Sequence, residues 1–120
     1  MSADPLDPAP LDPALLERIE GLEEIVADDP DDHTARFMLA TELAKAGRHL
    51  QAIPHFEQVI TADPDYTAAY RGLGRALVAE GDTDAARAVF ERGVIVADRT
   101  GDYQSGKEME VFLRRYTQGA

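Results

Sequence analysis

The sequence contains no cysteine, which excludes a disulfide framework, thiolate zinc sites and a cysteine nucleophile. Nowhere do about 18 apolar residues run together, so no membrane-spanning helix is expected. The opening stretch, Met1-Ser2-Ala3-Asp4-Pro5, has neither a cationic segment nor an apolar run. No signal peptide is expected from it, and a cytoplasmic location follows as the expectation. Bases are scarce and scattered, with 12 Lys and Arg against 23 Asp and Glu. Nucleic-acid binding rests on a clustered basic face that releases counterions. No such cluster stands out, so nucleic acid is not an expected partner. At 120 residues there is room for one domain or one short repeat array, large enough to fold without covalent staples.

The acidity is concentrated rather than spread. Residues 1–32 hold seven Asp and four Glu against Arg18, a net of −10 out of the chain's −11. Segment 33–66 nets −1, and 67–100 and 101–120 each balance to zero. Residues 1–11 are broken by Asp4-Pro5, Asp7-Pro8 and Ala9-Pro10, which favour extended chain and mark a disordered acidic arm. Asp12 then caps a helix with Pro13 in its first turn. Leu15, Ile19, Leu22 and Val26 make one apolar stripe along that helix, expected over 12–28.

Internal self-similarity is the most informative feature. Val26-Ala27-Asp28-Asp29-Pro30-Asp31 recurs as Ile60-Thr61-Ala62-Asp63-Pro64-Asp65, placing Pro30 and Pro64 34 residues apart. The same offset brings Leu39-Ala40 onto Leu73-Gly74, Leu43 onto Leu77, Gly47 onto Gly81, Ala52 onto Ala86 and Phe56 onto Phe90. Each period reads as two helices divided by a glycine that supplies the left-handed conformation of a helix end. Asp82 or Thr83 caps the second helix of the second period. In that helix Val89, Phe90, Val94 and Ile95 form the apolar pattern. A last helix over 102–118 carries Met109, Phe112, Leu113 and Tyr116 at helical spacing and covers the flank that the preceding period cannot bury alone. The fold expected is all-α, an α-α superhelix of about six antiparallel helices. Its parts are an arm (1–11), a leading helix, repeats 33–66 and 67–100, and a capping helix.

Tyr70, Leu73-Gly74, Leu77, Ala86 and Phe90 in one period, with Leu39-Ala40, Leu43, Ala52, Phe56 and Pro64 in the other, resemble the tetratricopeptide repeat. The match has two departures: Arg36 stands at the first repeat's aromatic position, and Asp98 where the second repeat's closing Pro belongs. The resemblance implies a non-catalytic module that holds a peptide or partner protein in a concave groove lined by the first helix of each repeat. Carried over position by position, the groove candidates are Thr34, Phe37, Met38, Thr41 and Lys45, then Ala68, Arg71, Arg75, Val78 and Ala79. Ser105, Met109 and Phe112 would join them from the last helix. Arg71 and Arg75 lie one turn apart and suit a carboxylate; the alternative is a solvated pair, or one matched to Asp31, Asp32 or the acidic arm. Heat-shock co-chaperones of this type clamp a carboxylate with Lys and Asn, whereas the matching places here hold Phe37, Thr41 and Gly72, so that function is not expected.

No enzyme, cofactor or metal is expected. His33, His49 and His55 lack i, i+4 metal spacing, and Asp28-Asp29-Pro30-Asp31-Asp32 lacks the Gly and Glu of a calcium loop and reads as a turn. Gly72-Leu73-Gly74 falls inside a helix with no strand before it, so it is a packing feature and not a dinucleotide fingerprint. Two further readings stay open: self-association through Phe112, Leu113 and Tyr116 as a symmetric homodimer face, or a small acidic chaperone of secreted proteins.

Overall fold

The structure, a computed structural model, describes residues 11–117. The expected arm lies outside the described residues except for Leu11, as does residue 118, the expected end of the last helix. Six helices follow one another: α1 (Pro13–Asp28), α2 (His33–Lys45), α3 (His49–Ala62), α4 (Thr67–Ala79), α5 (Thr83–Thr100) and α6 (Tyr103–Thr117). Among the described residues there is no strand. The molecule is an all-α helical superhelix with extents of 48 × 40 × 20 Å.

Local chemistry sets each boundary. The Asp12 carboxylate accepts the Ala14 N–H at 3.0 Å with Pro13 at the first helical position. Asp32 and Asp82 accept the amides of Ala35 and Ala85 at 2.9 and 3.2 Å, which settles the cap of α5 on Asp82. Side-chain oxygens at these places satisfy amides that have no partner within the helix. The acidic run before α2 is used the same way: Asp29 accepts the Asp31 amide, and Asp63 repeats this with Asp65 one period later. Gly47 and Gly81 hold φ of 76° and 81°. There the next residue's amide bonds back to Leu43 and Leu77 respectively, at 2.9 Å in both turns, the paired geometry that ends a helix on a left-handed residue.

The missing proline at position 98 has a visible consequence. Pro64 follows directly on the end of α3, but Asp98 allows α5 to run on to Thr100, giving 18 residues against 14 in α3. Gly101, at φ 81°, stops it instead. The starts of α2 and α4 are 34 residues apart (33 and 67), while those of α4 and α6 are 36 apart (67 and 103). The last helix is therefore displaced by two residues from the sequence period.

Consecutive helices pack against each other throughout. In addition α2 touches α4 and α4 touches α6, whereas α1, α3 and α5 make no contacts among themselves. The layer of α2, α4 and α6 is thus the tighter, inner side of the curve. Between the layers lie the wholly buried side chains: Ile19, Leu39, Phe56, Val59, Tyr70, Phe90 and Met109. Small residues allow this closeness. A Cβ on Gly74 would sit 2.3 Å from the Phe90 ring, and one on Gly93 would sit 2.8 Å from the Tyr70 Cβ. Ile95, read as part of the apolar pattern, is instead 66% exposed, and Val96 and Ala97 are buried in its place. The final turn of α5, prolonged past position 98, carries that inward stripe around to the next residues.

Candidate functional site

A groove of about 380 Å³ runs between α2 and α4 on the inner layer. From α2 come Phe37, Thr41, Ala44 and Lys45; from α4 come Ala68, Arg71, Arg75 and Ala79. Phe56 reaches its floor from α3 because Gly72 leaves the space: a Cβ there would lie 2.5 Å from that ring. Phe37 is fixed edge-on to Phe56 at 5.9 Å between ring centroids, and it leans on Tyr66 at 4.9 Å. The Tyr66 hydroxyl is pushed above its ordinary pKa by burial and then by Asp63, so it stays neutral at physiological pH. The groove therefore has an apolar floor and a cationic rim.

Seven of the ten candidates that the sequence offered on α2 and α4 line this groove: Phe37, Thr41, Lys45, Ala68, Arg71, Arg75 and Ala79. The other three do not. Thr34 is exposed and Met38 is 51% exposed, both outside the lining, while Val78 is half-buried and packs on the core. The expected contribution of α6 also differs. Met109 is completely buried, wedged against Gly93, and Ser105 is buried as well, because the two-residue displacement of α6 turns that stripe inward. Phe112 stacks on Phe90 at 5.2 Å and is followed by Tyr116 at 6.4 Å. Leu113 and Tyr116 likewise pack against the chain's own core, so the three residues read as a symmetric contact face are engaged within the molecule.

The two arginines are not a free pair. Arg71 Nη1 donates to Glu108 Oε2 on α6, a partner the sequence reading did not name. That hydrogen bond holds the Glu108 carboxyl below its usual range, against an opposing push from partial burial and with help from Gln104 and Arg75. Arg75 places its guanidinium 5.8 Å from the centre of the Phe112 ring, within cation–π range, and remains exposed. Lys45 is 3.3 Å from Glu42 with 61% of its side chain exposed. His49 also lines the groove, and its Nδ1 is buried with no hydrogen-bond partner among the described residues. Glu108 lies 37 residues beyond Arg71 on a helix shifted out of period, so no spacing signal pointed to it.

At the first repeat's departure from pattern, Arg36 Nη2 donates to the Pro30 carbonyl at 3.0 Å. Tyr70, its equivalent one period on, donates to the Pro64 carbonyl at 2.7 Å. Arg36 also meets His55 Nδ1 at 3.0 Å, which makes that nitrogen the acceptor. Burial, and then Arg36, lower the His55 pKa, while Glu23 acts the other way.

Residues 43–109 match the sequence profile described as Tetratricopeptide repeat. A TPR repeat-containing protein of Pseudomonas aeruginosa is 40% identical over 97 residues, spanning 81% of this chain and 92% of that protein. Among solved structures, a Bordetella parapertussis protein superposes with a TM-score of 0.74 at 36% identity, covering 83% of this chain and 87% of that one. The TPR2B domain of yeast Sti1, solved as a complex with pHsp70, superposes with a TM-score of 0.82 at 19% identity, over 89% of this chain and 86% of that one; at that identity the likeness concerns the fold alone. No described helix is long and apolar enough to cross a membrane.

Proposed function

The chain belongs to the tetratricopeptide repeat family, and from that membership we propose that it is a protein-interaction module whose α2–α4 groove holds a short segment of a partner protein. The observation that carries this reading is the groove itself: an open trough with Phe37 and Phe56 on its floor and Arg71, Arg75 and Lys45 along its rim. Apolar floor with charged rim is the make-up of a recognition cleft, in which apolar contacts supply affinity and a few polar groups fix orientation. A segment offering one apolar side chain to Phe37 and a carboxylate toward Arg75 fits that arrangement. Arg71 already carries Glu108, so the exposed guanidinium of Arg75 does most of the charge selection. The Lys and Asn of the co-chaperone clamp are absent, as Phe37, Thr41 and Gly72 occupy those places.

The test is affinity capture from the source cell, comparing the wild-type chain with Arg71→Glu/Arg75→Glu and with Thr41→Arg. The first reverses the rim charge, and the second fills the trough without touching the Arg71–Glu108 pair. A partner held by the wild type and released by both, with helical circular dichroism unchanged, is the expected result. A partner held equally by all three overturns the groove reading.

A further inference from the structure

The groove and the start of the chain carry opposite charges. Every titratable side chain that lines the groove is a base, namely Lys45, His49, Arg71 and Arg75, with no Asp or Glu among them. Residues 1–12 hold Asp4, Asp7 and Asp12 and neither Lys nor Arg. The cations of the rim are only partly matched from within the fold. Glu42 is shared between Arg18 and Lys45, at 3.5 and 3.3 Å. Glu108 bonds Arg71 and is also drawn by Arg75. Each carboxylate thus serves two bases, and Arg75 stays exposed. We propose that residues 3–10 lie in the groove of their own molecule, so that a partner must displace them.

The place from which this segment leaves the fold favours the contact. Arg18 on α1 meets Glu42 on α2, and only residues 29–32 join the two helices, so they run antiparallel. Asp12, six residues before Arg18, therefore stands level with Arg48, six residues after Glu42. That is the end of the groove where Lys45 and His49 sit. Leu11, at the foot of the segment, is partly buried. Crossing the end of α2 takes about 10 Å, the width of a helix, and the stretch from Lys45 back to Phe37 adds about 12 Å. The eight residues 3–10, held extended by their prolines, span about 25 Å. The reach suffices.

The chemistry fits as well. In the extended form that Asp4-Pro5-Leu6-Asp7-Pro8-Ala9-Pro10 favours, about three residues make a turn. Asp4 and Asp7 then share one edge, and Leu6 and Ala9 share the next. With the carboxylates along the Arg75 and Lys45 rim, Leu6 faces the floor of Phe37 and Phe56. Proline has no N–H to leave unsatisfied in such a site, and it reduces the freedom lost on ordering. The tether supplies the remainder: a short linker holds the segment at an effective concentration of about a millimolar or more, so weak contacts are enough. The inference rests on the groove reading and adds its regulation. It also sharpens the partner's chemistry, which is an extended acidic segment with one apolar side chain.

Because the chain has no cysteine, Ser2→Cys gives the full chain a single site for a nitroxide. In the labelled molecule the amide signals of Thr41, Ala68 and Gly72 should lose intensity, while those of Glu91 and Ile95 on α5 keep most of theirs. Asp4→Lys/Asp7→Lys, which lies outside the six helices, should abolish that loss. Groove signals left untouched in the labelled wild type, or a loss that persists with both charges reversed, overturns the proposal. Mixing isotope-labelled chains that lack the nitroxide with unlabelled chains that bear it should leave the groove signals unchanged. Broadening in that mixture would place the segment in a neighbouring copy and overturn the contact within one molecule. A synthetic peptide of residues 1–11 should bind the Asp4→Lys/Asp7→Lys chain about tenfold more tightly than the wild type, whose own segment competes; equal affinities overturn the proposal. A chain that captures a partner through the groove yet shows no nitroxide effect sinks this contact alone and leaves the groove reading standing.

Discussion

The α2–α3 pair and the α4–α5 pair trace the same backbone with different side chains at equivalent places. At positions 36 and 70 the planar group is a guanidinium in one pair and a phenol in the other, yet both donate to the carbonyl of the preceding turn's proline. The family's aromatic position is therefore met by any flat group that reaches this carbonyl and covers the turn. The surroundings differ accordingly. Arg36 needs an acceptor beside it and finds His55, whereas Tyr70 needs space and finds it over Gly93, with Arg92 stacked 5.5 Å from its ring centre. At positions 37 and 71 the contrast falls within the groove: Phe37 adds to its floor and Arg71 to its charged rim.

The largest effect should come from the two phenylalanines that fill equivalent cavities. Phe56→Ala and Phe90→Ala should each cost about 3–5 kcal/mol in urea denaturation. Only Phe90→Ala should also loosen α6, because Phe112 stacks on Phe90 alone of the two, and hydrogen exchange along α6 reads the difference. Gly93→Ala comes next. Its Cβ would lie 2.4 Å from Met109 Sδ and 2.8 Å from the Tyr70 Cβ, and overpacking of about 1–3 kcal/mol outweighs the helix preference for Ala of about 1 kcal/mol. The first pair carries Val59 at that position without penalty, since Arg36 stands opposite in place of Tyr70. Thermal melts of Gly93→Ala beside Val59→Ala would show opposite causes, crowding in one and a cavity in the other.

Smaller effects separate the two planar groups. Tyr70→Phe removes one neutral hydrogen bond and should cost about 0.5–1.5 kcal/mol by denaturant titration. Arg36→Leu strands both the Pro30 carbonyl and His55, and should cost somewhat more. The smallest difference is one of pH. The His55 pKa is lowered from 6.5, so below that value the unfolded chain takes up a proton that the folded chain resists. Stability should fall as pH drops through about 6.5 and flatten below the folded value. Melting temperatures of wild type and His55→Gln between pH 7.5 and 5 check this, with the slope reduced in the variant. Glu108 acts in a separate window: its lowered pKa adds stability above 4.5 that is lost in more acid solution.

Much of this architecture was legible in the chain. The 34-residue period, Gly47 and Gly81, the caps at Asp12 and Asp82 and the repeated match of apolar and small positions depend on local geometry, and local geometry repeats. The groove was legible in part, since Phe37, Thr41, Lys45, Arg71 and Arg75 follow from the same repeat register. Met109 was misread as groove lining because it lies after position 98, where the lost proline lets α5 lengthen and shifts everything beyond by two residues; Ile95 lies before that point, on a helix whose inward stripe passes through Val96 and Ala97 instead. Glu108 escaped for a different reason: it reaches Arg71 from a helix that is distant in sequence.

What the sequence determined by itself is the scaffold. Helix length, turn and pairing arise from caps, glycines and prolines acting over a few residues, and the period records them directly. What only the tertiary structure decided is which charges and apolar faces remain available. Arg71 is occupied by Glu108 and the α6 stripe is turned inward, while Ile25, Arg18 and Glu110 stand exposed at the ends. Side-chain availability depends on neighbours brought together through space, and no linear spacing carries that information.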